Sequence, residues 1–207
     1  MPNFIGDSIN TIPAIELIRQ VFPQARITLL GPSFLKELFE YDPRIFYVIV
    51  SNKRKKNYFR NIFVILRNRY DLGILFTNTF MTALLLRLAL VKRLVGYENE
   101  GRGFLLNFKR PLNRNVHYIN RYAMLVNEWL GNKFTCLPTL KLYYKQECNF
   151  HFANNNPVIG LYLGGTNKRF RRYPEEQAIV LLRMLRNYNL VFIGDSNDAV
   201  VQSSYVR

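Results

Sequence analysis

Short runs of β-branched and aromatic residues alternate along this chain with segments whose apolar residues recur at helical spacing. Ile15, Leu17, Ile18, Val21 and Phe22 form the first such helical segment, and Pro23 stops it. A strand is predicted over 26–30. The turn Gly31-Pro32-Ser33 follows, with Ser33 as the N-cap of a short helix reaching Phe39, and then a strand over 45–50. Phe59, Ile62, Phe63 and Leu66 mark the next helix. A strand over 72–76, the turn Thr77-Asn78-Thr79, an apolar helix from Phe80 to about Leu90 and a strand over 94–97 continue the alternation. Repeated strand, helix and strand is the pattern of an α/β fold in which helices cover a parallel sheet.

Residues 98–116 are rich in Gly, Asn and basic side chains, show no clear period and read as a loop. Helical spacing returns through Ile119, Tyr122, Met124, Val126 and Trp129, and Gly131 closes that segment. The polar stretch 148–157, with Asn154-Asn155-Asn156-Pro157, reads as a linker. It divides the chain into a domain over 1–150 and a second α/β unit over 151–207. In that unit a strand over 158–163, the turn Gly164-Gly165-Thr166-Asn167, a helix over 174–185 and a strand over 190–193 precede Gly194-Asp195-Ser196. A complete nucleotide-binding α/β domain needs on the order of 100–150 residues, so the expectation is that the second domain is only begun.

Apolar residues make up 49% of the 207, enough for a packed core. A net charge of +15 adds an attraction to something acidic: nucleic acid, an anionic membrane face or a phosphorylated substrate. Alternatively it is a solubilising surface, since Lys and Arg are spread through the chain. Cys136 and Cys148 have no CxxC spacing and no His pair nearby, which argues against a zinc site or disulfide framework and for a reducing, cytosolic setting. No signal peptide is recognisable, and the longest apolar run, 80–91, is interrupted by Arg87.

Candidate chemistry begins at the opening turn, Pro2-Asn3-Phe4-Ile5-Gly6-Asp7, which places a carboxylate at the mouth of the first helix. Ligands of open α/β sheets bind beyond the carboxyl ends of the strands, where such a carboxylate can accept a proton. The other reading of Asp7 is an N-terminal helix cap, the commoner use of an aspartate there. Residues 164–174 set two glycines before Lys168, Arg169, Arg171 and Arg172, a composition suited to oxyanions, although neither GxxxxGK[ST] nor GxGxxG is matched. A solvated basic loop explains it equally well. Asn78 and Thr79 end a strand and can hydrogen-bond a polyhydroxylated ligand or serve as a plain turn. Lys53-Arg54-Lys55-Lys56 beside Tyr58 and Phe59 is a second basic cluster, suited to phosphates or acidic headgroups or simply solvated. His117 and His151 have no carboxylate or cysteine partner at catalytic spacing.

Taken in order, these segments resemble the lipopolysaccharide heptosyltransferases of glycosyltransferase family 9, which use ADP-heptose to build the inner core. The likeness rests on Pro2 to Asp7 with Pro13-Ala14, on Thr77-Asn78-Thr79-Phe80, Val95-Gly96-Tyr97 and His117 to Tyr122, and on Gly164-Gly165-Thr166 through Arg171-Arg172-Tyr173-Pro174. The opening motif is closer to the heptosyltransferase II branch.

The resemblance implies a fold of the GT-B type: a Rossmann-like N-terminal domain that holds the acceptor, followed here by the beginning of a second Rossmann-like domain for the nucleotide sugar. It implies that Asp7 is the general base and that transfer inverts the anomeric centre. No metal or other cofactor is implied, because basic side chains carry the charge of the departing diphosphate. Arg171 would take that role, where the family usually has lysine, and its planar fork binds differently from a point charge. Thr166, Asn167 and Lys168 would bind the donor, and Asn3, Asn78 and Thr79 the acceptor. The implied partners are ADP-heptose, a lipid A–Kdo or heptosylated core acceptor and the anionic cytoplasmic face of the inner membrane, with no nucleic acid.

Family members have an apolar strand before the opening motif and a further donor segment downstream, so the 207-residue chain is expected to transfer no heptose by itself. A related enzyme for another nucleotide sugar, a basic nucleic-acid-binding α/β protein and an inactive decayed gene product are the alternatives.

Overall fold

Strands β1 (Ile27–Gly31) and β2 (Ile45–Val50) pair in parallel, with Leu29 opposite Val48 and Gly31 opposite Val50. A second parallel sheet has the order β3 (Leu72–Leu75), β4 (Arg93–Glu98), β5 (Phe108–Pro111), with Ile74 opposite Val95 and Val95 opposite Phe108. Parallel neighbours require a crossover, which α5 (Phe80–Leu88) supplies between β3 and β4. The computed structural model describes residues 1–51, 55–145, 151–164 and 173–194, apart from the side chains of residues 55–57 and 118. The chain divides into two units, Met1–Gln146 and Glu147–Arg207.

The central strand β4 buries Leu94, Val95, Gly96 and Tyr97 in succession, because helices cover both faces of its sheet. On one face Leu94 packs with Ile65 of α4 (Lys55–Asn68) and with Ala83 and Leu85 of α5. On the other, Val95 and Tyr97 pack with Leu125 of α6 (Tyr118–Trp129). Helix α2 (Ile12–Val21) completes this layer: its Ala14, Leu17 and Ile18 meet Tyr122, Ala123 and Val126 of α6 and Phe76. Each Leu, Ile or Val among them contributes about 1.5–3 kcal/mol by burial. Helix α6 stops where Gly131 and Asn132 take φ of +79° and +56°, and the Asn127 side chain bonds both the N–H and the carbonyl of Phe134.

A buried ion pair fixes the segment before β2. Arg44 donates to both carboxylate oxygens of Asp42, at 2.8 and 2.6 Å, to Glu16 of α2 at 3.0 Å and to the Lys141 carbonyl at 3.0 Å. Burial works against the charged guanidinium, but the hydrogen bonds and charges of Asp42 and Glu16 outweigh it and raise the Arg44 pKa.

Four local expectations are corrected. Gly6 and Asp7 lie inside a one-turn helix, α1 (Ile5–Ile9), whose N-cap is Phe4, while the long helix starts after Thr11; Asp7 is therefore not a cap. Ser33 does not cap α3 (Leu35–Leu38), whose N-cap is Phe34; it is the Ser33 carbonyl that accepts the Lys36 N–H. Residues 98–116 are not one loop. They contain a 3-10 turn (Arg102–Leu105) and the strand β5, which shows no alternation because it is a largely exposed edge strand ending in proline. Asn154 and Asn156 are not slack linker residues, since Asn189 Nδ2 donates to Asn154 Oδ1 at 2.8 Å and to the Asn156 carbonyl at 2.9 Å.

The second unit pairs β6 (Val158–Leu161) with β7 (Asn189–Phe192) in parallel through α7 (Glu175–Met184). Leu163 and Ala178 are buried together there.

Candidate functional site

The turn Thr77-Asn78-Thr79 joins the carboxyl end of β3 to α5, and its shape is dictated by one side chain. Arg102, fully buried at 0% exposure, donates through Nη1 to the carbonyls of Thr77 at 2.6 Å and Thr79 at 3.2 Å. Its Nη2 reaches Asn78 Oδ1 at 3.4 Å and its Nε the Tyr97 carbonyl at 2.8 Å. Only the flat, multidentate guanidinium can answer so many acceptors at once. Burial lowers the Arg102 pKa, and the charge of nearby Glu100 partly restores it.

Neighbouring residues complete the turn. Asn99 Nδ2 donates to the Asn78 carbonyl at 3.3 Å, and the first N–H of α5, from Phe80, donates to Glu100 Oε2 at 3.0 Å. Glu100 and Gly101 both take positive φ, +50° and +71°, which reverses the chain so that Arg102 points back under β4. Gly96 provides the space: a Cβ there would lie 3.3 Å from Arg102 Nη2 and 3.3 Å from Leu75 Cβ.

Asn78 opens onto a concavity of about 560 Å³ shared with Leu112, Arg114, Asn115, Val116, His117 and Arg121. His117 is the N-cap of α6, its Nδ1 accepting the Ile119 N–H at 3.4 Å. The Arg121 guanidinium donates to the carbonyls of Arg114 at 3.2 Å and Val116 at 3.0 Å, which fixes the loop that bears the other polar groups. Amide, imidazole and guanidinium groups therefore converge at the carboxyl edge of the β3–β4–β5 sheet, where open parallel sheets bind ligands. Such a set can hydrogen-bond hydroxyls and neutralise phosphate or carboxylate.

The other sequence candidates fall in different places. Asn3 is exposed, and Asp7 is half-exposed on α1, its carboxylate making no hydrogen bond or ion pair among the described residues. The amine of Met1 donates to the Leu30 carbonyl at 2.7 Å, so residues 2–7 leave the carboxyl end of β1. Asn3, Asp7 and Thr79 do not line the concavity at Asn78. Thr79 is the N-cap residue of α5 without a side-chain cap bond, and its hydroxyl meets Thr82 Oγ1 at 3.2 Å. Thr166, Asn167, Lys168 and Arg171 lie outside the described residues, as do Lys53 and Arg54. Gly164 takes a φ of +91°, and the Tyr173 N–H donates to the Leu163 carbonyl at 2.8 Å.

Arg102 escaped sequence reasoning, and Arg121 entered it only within the motif from His117 to Tyr122. Arg102 lies in the stretch without periodicity, and its flanking glycines, Gly101 and Gly103, were the available signal. Among the described residues, no group of three or more His, Cys, Asp or Glu is placed to hold a metal ion, and no helix is long and apolar enough to cross a membrane.

The model of the family described as glycosyltransferase family 9 (heptosyltransferase) matches residues 60–204. Lipooligosaccharide heptosyltransferase 2 of Haemophilus ducreyi is 22% identical over 225 residues, covering 97% of this chain and 63% of that protein. The solved structure of the Escherichia coli ADP-heptose LPS heptosyltransferase II superposes with a TM-score of 0.81 at 22% identity, covering 99% of this chain and 66% of that one. A family 9 glycosyltransferase from Veillonella parvula gives 0.82 at 20% identity, covering 100% and 64%. This likeness shows the fold, α/β of the GT-B type, and the chain spans just under two thirds of the length of these relatives.

Proposed function

The chain belongs to glycosyltransferase family 9, and from that premise we propose that it is part of an inverting heptosyltransferase that moves heptose from ADP-heptose to the inner core of lipopolysaccharide. The observation that carries this reading is the cationic concavity at Asn78. An acceptor core bears hydroxyls, carboxylates and phosphates, and Asn78 with Arg114, His117 and Arg121 offers donors for each. The identity of the donor is taken from the name of the Escherichia coli relative.

In this mechanism Asp7 accepts the proton of the acceptor hydroxyl as its oxygen attacks the anomeric carbon of the donor. The bond to the diphosphate breaks on the opposite face, and ADP departs. Thr166, Asn167, Lys168 and Arg171 hold the diphosphate and offset its charge, so that no metal is required. Asn3, Asn78 and Thr79 orient the acceptor. The work is done at the anionic cytoplasmic face of the inner membrane. Because the chain covers 63–66% of its relatives, the isolated 207-residue polypeptide is proposed to transfer no heptose.

The test is transfer of labelled heptose from ADP-heptose to core-truncated lipopolysaccharide by the full-length gene product. Asp7→Asn should lower kcat by about 10²–10⁴-fold with little change in donor affinity. Near-normal turnover by that variant removes Asp7 from the mechanism. Transfer from another nucleotide sugar but not from ADP-heptose replaces the donor.

A further inference from the structure

Helix α4 presents an exposed aromatic stripe flanked by basic side chains. Its inner face is fixed by Ile65, 2% exposed, and by buried Asn61, whose Nδ2 donates to Ser51 Oγ at 2.8 Å. Tyr58 anchors the first turn by donating to the Met81 carbonyl of α5 at 3.0 Å. With the helix rotation so fixed, Phe59 is 76% exposed and Phe63 65% exposed, and Leu66 continues the stripe one turn on. At about 100° per residue these three positions share one face, and Arg60 and Arg67 fall on its flank.

The charge of this segment is one-sided. Residues 55–69 carry Lys55, Lys56, Arg60, Arg67 and Arg69 and no acidic residue. Two exposed phenylalanines and a leucine between cations form the pattern of a helix lying in a membrane interface, with rings at the acyl boundary and guanidinium groups among the phosphates. We propose that the outer face of α4 docks this protein on an anionic bilayer, with Phe59 and Phe63 inserted and Arg60 and Arg67 on the lipid phosphates. A protein partner with an apolar groove would satisfy the rings but would have to bring acidic groups for the cations beside them. An anionic bilayer supplies both at once.

This inference deepens the reading that the acceptor lies at a membrane surface, by naming the element that touches it. The test uses the full chain and sedimentation with vesicles rich in phosphatidylglycerol, against vesicles of phosphatidylcholine alone. Neither donor nor acceptor is present, so its result is separable from that of the transfer assay. Binding to the anionic vesicles is expected. Arg60→Gln/Arg67→Gln should weaken it by about thirtyfold, at roughly one tenfold step per 1.4 kcal/mol and about 1 kcal/mol per cation. Phe59→Ser/Phe63→Ser should weaken it by about tenfold or more, while Met184→Ser, a change of an exposed residue in the second unit, leaves it unaltered.

Melting curves of the same variants establish that they fold. Phe59→Trp provides a second readout, because its emission should shift to the blue on anionic vesicles and be quenched by brominated acyl chains. The proposal is overturned if both double variants bind like the parent chain, or if the emission of the Phe59→Trp variant is unmoved on vesicles that do bind. Self-association lost in Phe59→Ser/Phe63→Ser, without vesicle binding by the parent chain, also overturns it and makes the face an interface between copies.

Discussion

The Tyr97 hydroxyl donates to the Arg121 carbonyl at 2.6 Å, joining the central strand to helix α6 directly behind the candidate site. The backbone carbonyl of Tyr97 accepts from Arg102 at 2.8 Å, so this one residue connects the two arginines that shape the Asn78 turn and the loop facing it. Burial is the main cause that pushes the Tyr97 phenol up to about 12, with the charge of Glu128 adding to it. The unfolded chain releases this proton near pH 10, its ordinary value, whereas the folded chain keeps it until about 12. The stability it contributes is therefore complete below pH 10 and is lost as pH rises towards 12.

Tyr97→Phe should lower stability at neutral pH by about 1–2 kcal/mol, because the Arg121 carbonyl loses its donor. It should also remove part of the alkaline fall. Urea titrations of both chains at neutral pH and in the alkaline range measure this, and an unchanged difference across the range contradicts the assignment.

Arg102→Lys tests whether shape or charge matters at the turn. Lysine keeps the charge but cannot reach the carbonyls of Thr77, Thr79 and Tyr97 together, so it leaves buried acceptors unmet. A loss of about 2–4 kcal/mol is expected, with faster exchange of the Phe80 amide. Stability equal to that of the parent chain would show that charge alone suffices.

Gly96→Ala places a methyl group 3.3 Å from both Arg102 Nη2 and Leu75 Cβ. Arg102 is held by its hydrogen bonds to the Thr77 and Tyr97 carbonyls and Leu75 Cβ by its own backbone, and overpacking of this kind costs about 1–3 kcal/mol. Thermal melting reports it. If Gly96→Ala and Arg102→Lys act on the same contact, the double variant should lose less than the sum of the two.

Asp42→Ala leaves Arg44 buried with Glu16 as its remaining carboxylate. Removing one partner of a buried pair costs about 3–5 kcal/mol. Arg44→Met strands the Asp42 carboxylate, buried at 0% exposure, without a cation, so it should cost at least as much as Asp42→Ala. A smaller loss for Arg44→Met in denaturant titrations would show that the backbone N–H of residue 44 is enough to satisfy the Asp42 carboxylate.

The sequence by itself determined the α/β alternation, the parallel class and nearly every long element. Continuous apolar runs such as 94–97 and helical spacing such as Ala14, Leu17 and Ile18 follow from burial on two faces or on one, and a chain carries that pattern locally. The ordered motifs from Pro2 to Pro174 also pointed to the family whose model the chain matches. What sequence could not show was anything settled by contacts distant along the chain. The edge strand β5 has no apolar face to announce it, and Asp7 moved from cap to helix interior because Phe4 and Thr11, two unremarkable residues, set the helix starts. Arg102 looked like one cation among many. Only the fold removes it from water, sets it beneath Gly96 and surrounds it with the carbonyls of a turn more than twenty residues away, because hydrogen-bond demand inside a core is decided by what is packed there.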